Sequence, residues 1–181
     1  MGRGLLLPTV LLLAACAGGL KTTSDWDPAS DFTALQTYAW KPDAEGGAGV
    51  DQLTDNRIRV AIEADLNGKG LREAALAQAD IVVAYQITTQ EQTDYTTMNT
   101  GWGGGYGGYY GYGGAGMSTT TATTYTNGTL IIGLFNADTQ ELLWHGSGTT
   151  KLNEKLSPEK RTESVNHAVI KILEKFPPPS G

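Results

Sequence analysis

STTTATTYTNGTLIIGLF, residues 118–135, decides how this chain folds. Its first half alternates threonine with small or aromatic residues, as a strand or ribbon edge facing solvent does. Its second half places Leu130, Ile132 and Leu134 on one side, as a strand over a core does. Asn127-Gly128 stands between the halves and has two readings. It is a strong turn signal for a tight hairpin, and a glycine bulge within one long strand fits equally. The bulge is preferred, because QITTQEQTDYTT (residues 86–97) and STTTATTYT (118–126) then pair as two arms. Gly101 to Gly116, GWGGGYGGYYGYGGAG, becomes the tip between them.

The rest of the chain supplies partners for such a sheet. Upstream, Ile81, Val83, Tyr85 and Ile87 alternate with Val82, Ala84, Gln86 and Thr88. Downstream, Asn136-Ala137-Asp138-Thr139 reads as a hairpin loop, and ELLWHGSGTTKL (141–152) returns as a strand through Leu142 and Trp144. DWDPASDFTALQTYAW (25–40) carries two strand-like pieces: Trp26 and Phe32 flank a turn signal, while Tyr38 and Trp40 share a strand face. Pro42 to Val50 reads as a loop. Two segments are helical by period. Ile58, Ile62 and Leu66 form a stripe with Ala61 and Leu53 near it, closed by Gly68-Lys69-Gly70. Ser157-Pro158-Glu159 caps a second helix whose Val165, Ala168, Val169, Ile172, Leu173 and Phe176 face one way. Residues 177–179, all proline, stop it. The expectation is an α+β domain over residues 25–178: one antiparallel or mixed sheet with two helices packed on one face.

The start of the chain, MGRGLLLPTVLLLAACAGG, has the layout of a secretory signal: Arg3, a short apolar run, then small residues. The run is too short to span a bilayer. Leu13-Ala14-Ala15-Cys16 resembles the bacterial lipobox, whose cysteine is acylated and whose chain is cut just before it. That resemblance implies a signal peptide over residues 1–15 and a lipidated tether over 16–24. Ala17, where an aspartate would favour inner-membrane retention, implies the outer membrane, with the domain facing the periplasm. The membrane is then a partner through acyl chains on Cys16, each buried methylene contributing about 0.8 kcal/mol. Cys16 is the one cysteine of the chain, so no intrachain disulfide forms. The formal net charge is −6 and becomes one unit more negative when Arg3 is removed. An acidic surface disfavours nucleic acid.

Chemistry-bearing residues are sparse. The two histidines, His145 and His167, have no G-x-S-x-G elbow to serve, which leaves hydrolase chemistry as the weakest of three readings. Zinc would need more His or Cys than the chain has. Asp25 with Asp27, and Glu159 with Glu163, suit solvation or capping. Asn127-Gly128-Thr129 matches a glycosylation sequon but is read as turn chemistry. No catalytic residue, metal or cofactor is expected. The glycine-aromatic tip has no lysine and no helix behind it, so it is not a phosphate cradle. Its Trp102, Tyr106, Tyr109, Tyr110 and Tyr112 can stack on sugar rings, lie in a membrane interface or meet another protein. A loop tip without function is the plainer alternative, since loop closure grows slowly with length.

Phe32 with Thr37-Tyr38-Ala39-Trp40, then Ala79-Asp80-Ile81-Val82-Val83-Ala84-Tyr85, Gly128-Thr129-Leu130-Ile131-Ile132, Leu143-Trp144-His145-Gly146, and a helix ending Phe176-Pro177-Pro178 occur in this order. The ordered set resembles the bacterial lipoprotein family classed as domain of unknown function 4136, over roughly Thr23 to Pro178. The family pattern carries an acidic residue after the Leu130-Ile131-Ile132 strand, where this chain has Gly133, and it does not include Gly101 to Gly116. The resemblance implies an envelope lipoprotein without assigned activity. The reading that follows is a non-enzymatic, lipid-anchored module binding an envelope protein or a glycan. The alternative is a structural protein that self-associates through its Gly/Tyr tip and threonine arms. Oligomeric state is left open by the sequence.

Overall fold

From Ile81 the chain runs without a break to Asn99, and from Ser118 it returns to Asn136 in register throughout, Ile81 opposite Asn136 and Asn99 opposite Ser118. The structure, a computed structural model, describes residues 19–42, 50–99, 118–153 and 155–179. The strands are β1 (Lys21–Trp26), β2 (Thr37–Trp40), β3 (Arg72–Glu73), β4 (Ile81–Asn99), β5 (Ser118–Asn136) and β6 (Leu142–Lys151). They form one six-stranded sheet in the order β1-β6-β5-β4-β2-β3. β2 is parallel to β3 and β4, and the remaining pairs are antiparallel, so the sheet is mixed.

Alternation sorts the side chains. Val83, Tyr85, Ile132, Leu134 and Trp144 point to one face and are buried there. Helices α1 (Gln52–Gly68) and α2 (Pro158–Leu173) cover that face with Ile58, Ile62, Leu66, Val169, Ile172 and Leu173, giving one hydrophobic cluster. The expected α+β layering with both helices on one face is therefore present. The helices run side by side in the same direction. Arg57 Nε donates to Thr162 Oγ1 at 3.2 Å, and one turn on, Ala61 and Asp65 line the same groove as Asn166 and Ile170.

Local chemistry explains the element ends. Asp51 caps α1, accepting from the N–H groups of Leu53 and Thr54 at 3.0 and 3.1 Å. Gly70, at φ +93°, ends it in the left-handed conformation that glycine adopts without steric cost. Ser157 caps α2 ahead of Pro158, as expected.

Several expectations are corrected. Asn127-Gly128 is neither a hairpin turn nor a bulge, because β4 and β5 pair straight through it. A Cβ on Gly128 would lie 2.6 Å from Leu152 Cδ2, so this glycine admits a close neighbour and does not bend the chain. Asn127 lies within the strand and donates Nδ2 to Gln92 Oε1 at 3.0 Å. The register shift occurs instead at Leu134/Phe135 against β6. It sets Leu142 opposite Phe135 and leaves Leu142 exposed, not in the core. Lys21 to Ser24, read as tether, are the first residues of β1, held by backbone pairing to β6 and by Thr23 Oγ1 against Ser147 Oγ at 2.8 Å. Phe32 lies in a 3-10 turn, not a strand, because Asp31 accepts from the Thr33 N–H at 2.9 Å and closes the turn. Leu53, in the first turn of α1, is 64% exposed and does not join the buried stripe.

Asp80 ties the short strand β2 to β4. Its Oδ2 accepts from the N–H groups of Gln36 and Thr37 at 2.9 and 2.8 Å and from Thr37 Oγ1 at 2.8 Å. These bonds, the Gln36 N–H foremost, hold its carboxyl below the ordinary aspartate range. A lowered folded-state value stabilises the fold above the unfolded-state pKa and is lost as pH falls through the folded one. Asp80→Ala is thus expected to cost about 1 kcal/mol at neutral pH, an exposed charge-assisted anchor being partly screened. The gap to wild type should close below pH ~4. Urea midpoints for both proteins across acid pH check this, and a constant gap would refute it.

Candidate functional site

β6 supports β5 only as far as Lys151 opposite Asn127, and β2 supports β4 only as far as Trp40 opposite Val83. Beyond those rows β4 and β5 continue as a two-stranded ribbon to Asn99 and Ser118. Among the described residues nothing pairs with the outer edge of β4 from Ala84 onward, nor with that of β5 from Ser118 to Tyr125; the Thr126 carbonyl still accepts from the Leu152 N–H at 2.8 Å. Isolated two-stranded ribbons are marginal in water, so their side-chain pairs matter. Thr93 and Thr124 hydroxyls meet at 3.0 Å, and Thr97 and Thr120 at 3.3 Å. Lys151 Nζ sits 3.4 Å above the Tyr125 ring, bracing the root by a cation–π contact. Farther out, Tyr95 is 73% and Met98 70% exposed.

A cavity of ≈ 330 Å³ opens where the ribbon leaves the helices. Asp51, Arg57, Ile87, Leu152 and Val165 are among its walls. Because the helices are parallel, the first turns of both lie here, with their positive dipole ends and the N–H groups that have no carbonyl partner within the helix. Asp51 answers that field. Its carboxyl is held low first by the Thr54 hydroxyl, then by the helix N–H groups, with Arg57 adding a little. A cleft of ≈ 680 Å³ lies at the other end of the sheet, between Trp26, Phe32 and residues 177–179.

Beside the ribbon, α1 is fastened to the sheet by a polar chain. Tyr85 donates its hydroxyl to Asp55, which pairs with Arg59 at 3.1 Å. Arg59 lies over the Trp40 ring, and Trp40 Nε1 donates to Glu63 at 3.0 Å. Burial, then the Asp55 bond, drives the Tyr85 phenol well above its usual range, so it remains a proton donor.

The histidines are not brought together. His145 projects from the sheet face opposite the helices, since its neighbours Trp144 and Gly146 face inward, while His167 is exposed on α2. Asp25 stands opposite His145 in register. Asp27 closes a turn through Ala29 N–H and Ser30 Oγ, and Glu163 pairs with Lys160 at 2.7 Å. Glu159 lies in the first turn of α2. Among the described residues no group of three His, Cys, Asp or Glu side chains is placed to hold a metal, and no helix is long and apolar enough to cross a membrane. Cys16, Trp102, Tyr106, Tyr109, Tyr110 and Tyr112 lie outside the described residues. The root cavity and the open edges escaped sequence reasoning. The threonine alternation signals a ribbon but not where its neighbours stop.

Comparison with known proteins places the fold. No curated protein matches the chain. A PDZ domain protein from Parabacteroides distasonis is 17% identical with TM-score 0.49, covering 88% of this chain and 35% of its own, so the chain spans about a third of that protein. A PelC from Paraburkholderia phytofirmans, a dodecamer, is 10% identical with TM-score 0.50, covering 85% of this chain and 94% of PelC. A DUF4136 family protein from Bacteroides thetaiotaomicron is 16% identical with TM-score 0.50, covering 87% and 96%. The model of that last family, domain of unknown function DUF4136, matches residues 22–178, the whole of the α+β domain, and the chain belongs to it.

Proposed function

We propose that this protein is a non-enzymatic, lipid-anchored component of the bacterial envelope, held by acyl chains on Cys16 in the outer membrane, that presents its β4–β5 ribbon to an envelope protein or glycan. The observation that supports the reading is the pair of long ribbon edges that no described residue pairs with. A strand edge offers a row of free N–H and C=O groups to an incoming strand, and proteins usually block it with lysine, proline or a bulge. Residues 84–99 and 118–125 contain no lysine, no proline and no bulge between them. The same reading takes Trp102, Tyr106, Tyr109, Tyr110 and Tyr112 as further contacts with that partner.

Crosslinking in intact envelopes tests it. Wild type is expected to capture a discrete partner, and a chain carrying Thr121→Lys with Thr123→Lys on the open edge of β5 should lose most of that capture. Removing 101–116 tests the tip separately. Equal capture by all three chains would refute the ribbon as the contact.

The same edges favour a second reading, self-association, in which the arriving strand belongs to another copy. The PelC of like fold is a dodecamer. Concentration-dependent sedimentation of the detergent-solubilised chain supports this reading, and a strict monomer excludes it.

A further inference from the structure

β1 enters the sheet at Lys21, opposite Thr149, which stands opposite Thr129, which stands opposite Thr88. Lys21 therefore lies two residues short of the Gln90–Asn127–Lys151 row, beyond which the ribbon stands alone. β1 is antiparallel to β4, so it runs away from the ribbon, and the chain before Lys21 leaves on the ribbon's side. The tether from Cys16 to Lys21 spans at most about 18 Å. From the Thr88 row back to Ile81 the body of the sheet extends roughly 23 Å, and forward to Asn99 β4 extends roughly 36 Å, most of it ribbon. An anchored domain cannot turn its ribbon away from the bilayer, because the tether is too short to pass back beyond the body. Sheet twist rotates the ribbon by about 60–75° from β1 across three strand steps, so it slants over the surface and does not stand upright on it.

The ribbon's outer part has the composition such a position requires. No charged residue or histidine lies between Asp94 and Asp138. Exposed Tyr95 and Met98 stand on opposite ribbon faces among threonine hydroxyls, which suits the headgroup boundary, where an aromatic body is half buried and its polar end stays wet. Beyond Asp94 there is no ion to desolvate and none for anionic lipid to repel.

We infer that the distal half of the β4–β5 ribbon, around Tyr95 and Met98, lies in the interfacial zone of the membrane that holds the anchor. The inference rests on anchoring through Cys16. It sets the open edges, on which a partner is met, at the membrane surface.

The test uses the full acylated chain in vesicles of neutral lipid with brominated acyl chains. Acylation blocks Cys16, so Met98→Cys, Tyr95→Cys or Asp138→Cys each adds a single thiol for a fluorescent label. All three positions are exposed, and circular dichroism checks that each variant folds. Labels at 98 and 95 should be quenched by brominated lipid several-fold more than the label at 138, which sits at the far end of the sheet, and added salt should not change this. Equal, weak lipid quenching at all three sites on vesicles that carry the chain overturns the inference alone. Shielding of 98 from an aqueous quencher without lipid quenching also overturns it and assigns the ribbon to a second copy. A chain that takes a second label at Cys16 and fails to float with the vesicles overturns the anchoring beneath it, and the inference with it.

Discussion

Trp144→Ala is expected to lower stability by about 3–5 kcal/mol, the cost of emptying a large aromatic site in a packed core. Against the 5–15 kcal/mol that holds a typical domain together, this is a large share. Trp144 is fully buried on β6 and meets the Phe176 ring at 5.5 Å, while Phe176 meets Phe32 at 6.0 Å. The three rings join the sheet, the end of α2 and the turn after β1, so the cavity would open where three elements meet. The indole Nε1 is buried without a hydrogen-bond partner, which costs the native fold something. Trp144→Phe should therefore cost clearly less than Trp144→Ala. Urea midpoints measure both, and an alanine variant within about 1 kcal/mol of wild type would refute this account of the core.

Gly146→Val should cost about 3 kcal/mol by the opposite route, overfilling. A Cβ at residue 146 would lie 2.5 Å from Trp144 Cη2 and 2.7 Å from Ile172 Cγ2. Both neighbours are fully buried, and the indole is rigid, so neither can move aside without disturbing α2 or the sheet. The two substitutions should couple. In the double variant valine occupies part of the space the indole leaves, so the combined loss should fall well short of the sum. Strict additivity would show that Gly146 and Trp144 do not share that space. Glycine at 146 is thus a matter of volume: it lets the helix layer settle on a strand that carries a tryptophan.

What could be read in advance was set by local rules. The 3.6 period of Ile58, Ile62 and Leu66 and the cap at Ser157 depend on neighbours three or four residues away, and both helices formed where those signals stood. Alternation of Ile81, Val83 and Tyr85 against Leu130, Ile132 and Leu134 identified two strands of one core face. The long-strand reading of residues 118–135 also held, while its bulge did not. Asn-Gly is a turn signal only where no tertiary contact needs a side chain of zero volume, and Leu152 imposed that need at Gly128. KTTSDW, too polar to announce itself, became a strand because β6 had an edge to fill.

The sequence by itself determined the helices, the core faces, the paired threonine arms and the family, because each rests on patterns along the chain. Only the tertiary structure decided that the helices run parallel, that a cavity opens at the ribbon's root, that β2 and β6 stop short of the ribbon, and that Lys21 enters at the ribbon's end of the sheet. Strand order and edge exposure come from contacts between residues far apart in sequence. Such contacts leave no periodic trace, since many sequences of the same pattern can pair in different orders and burial among distant elements makes the choice.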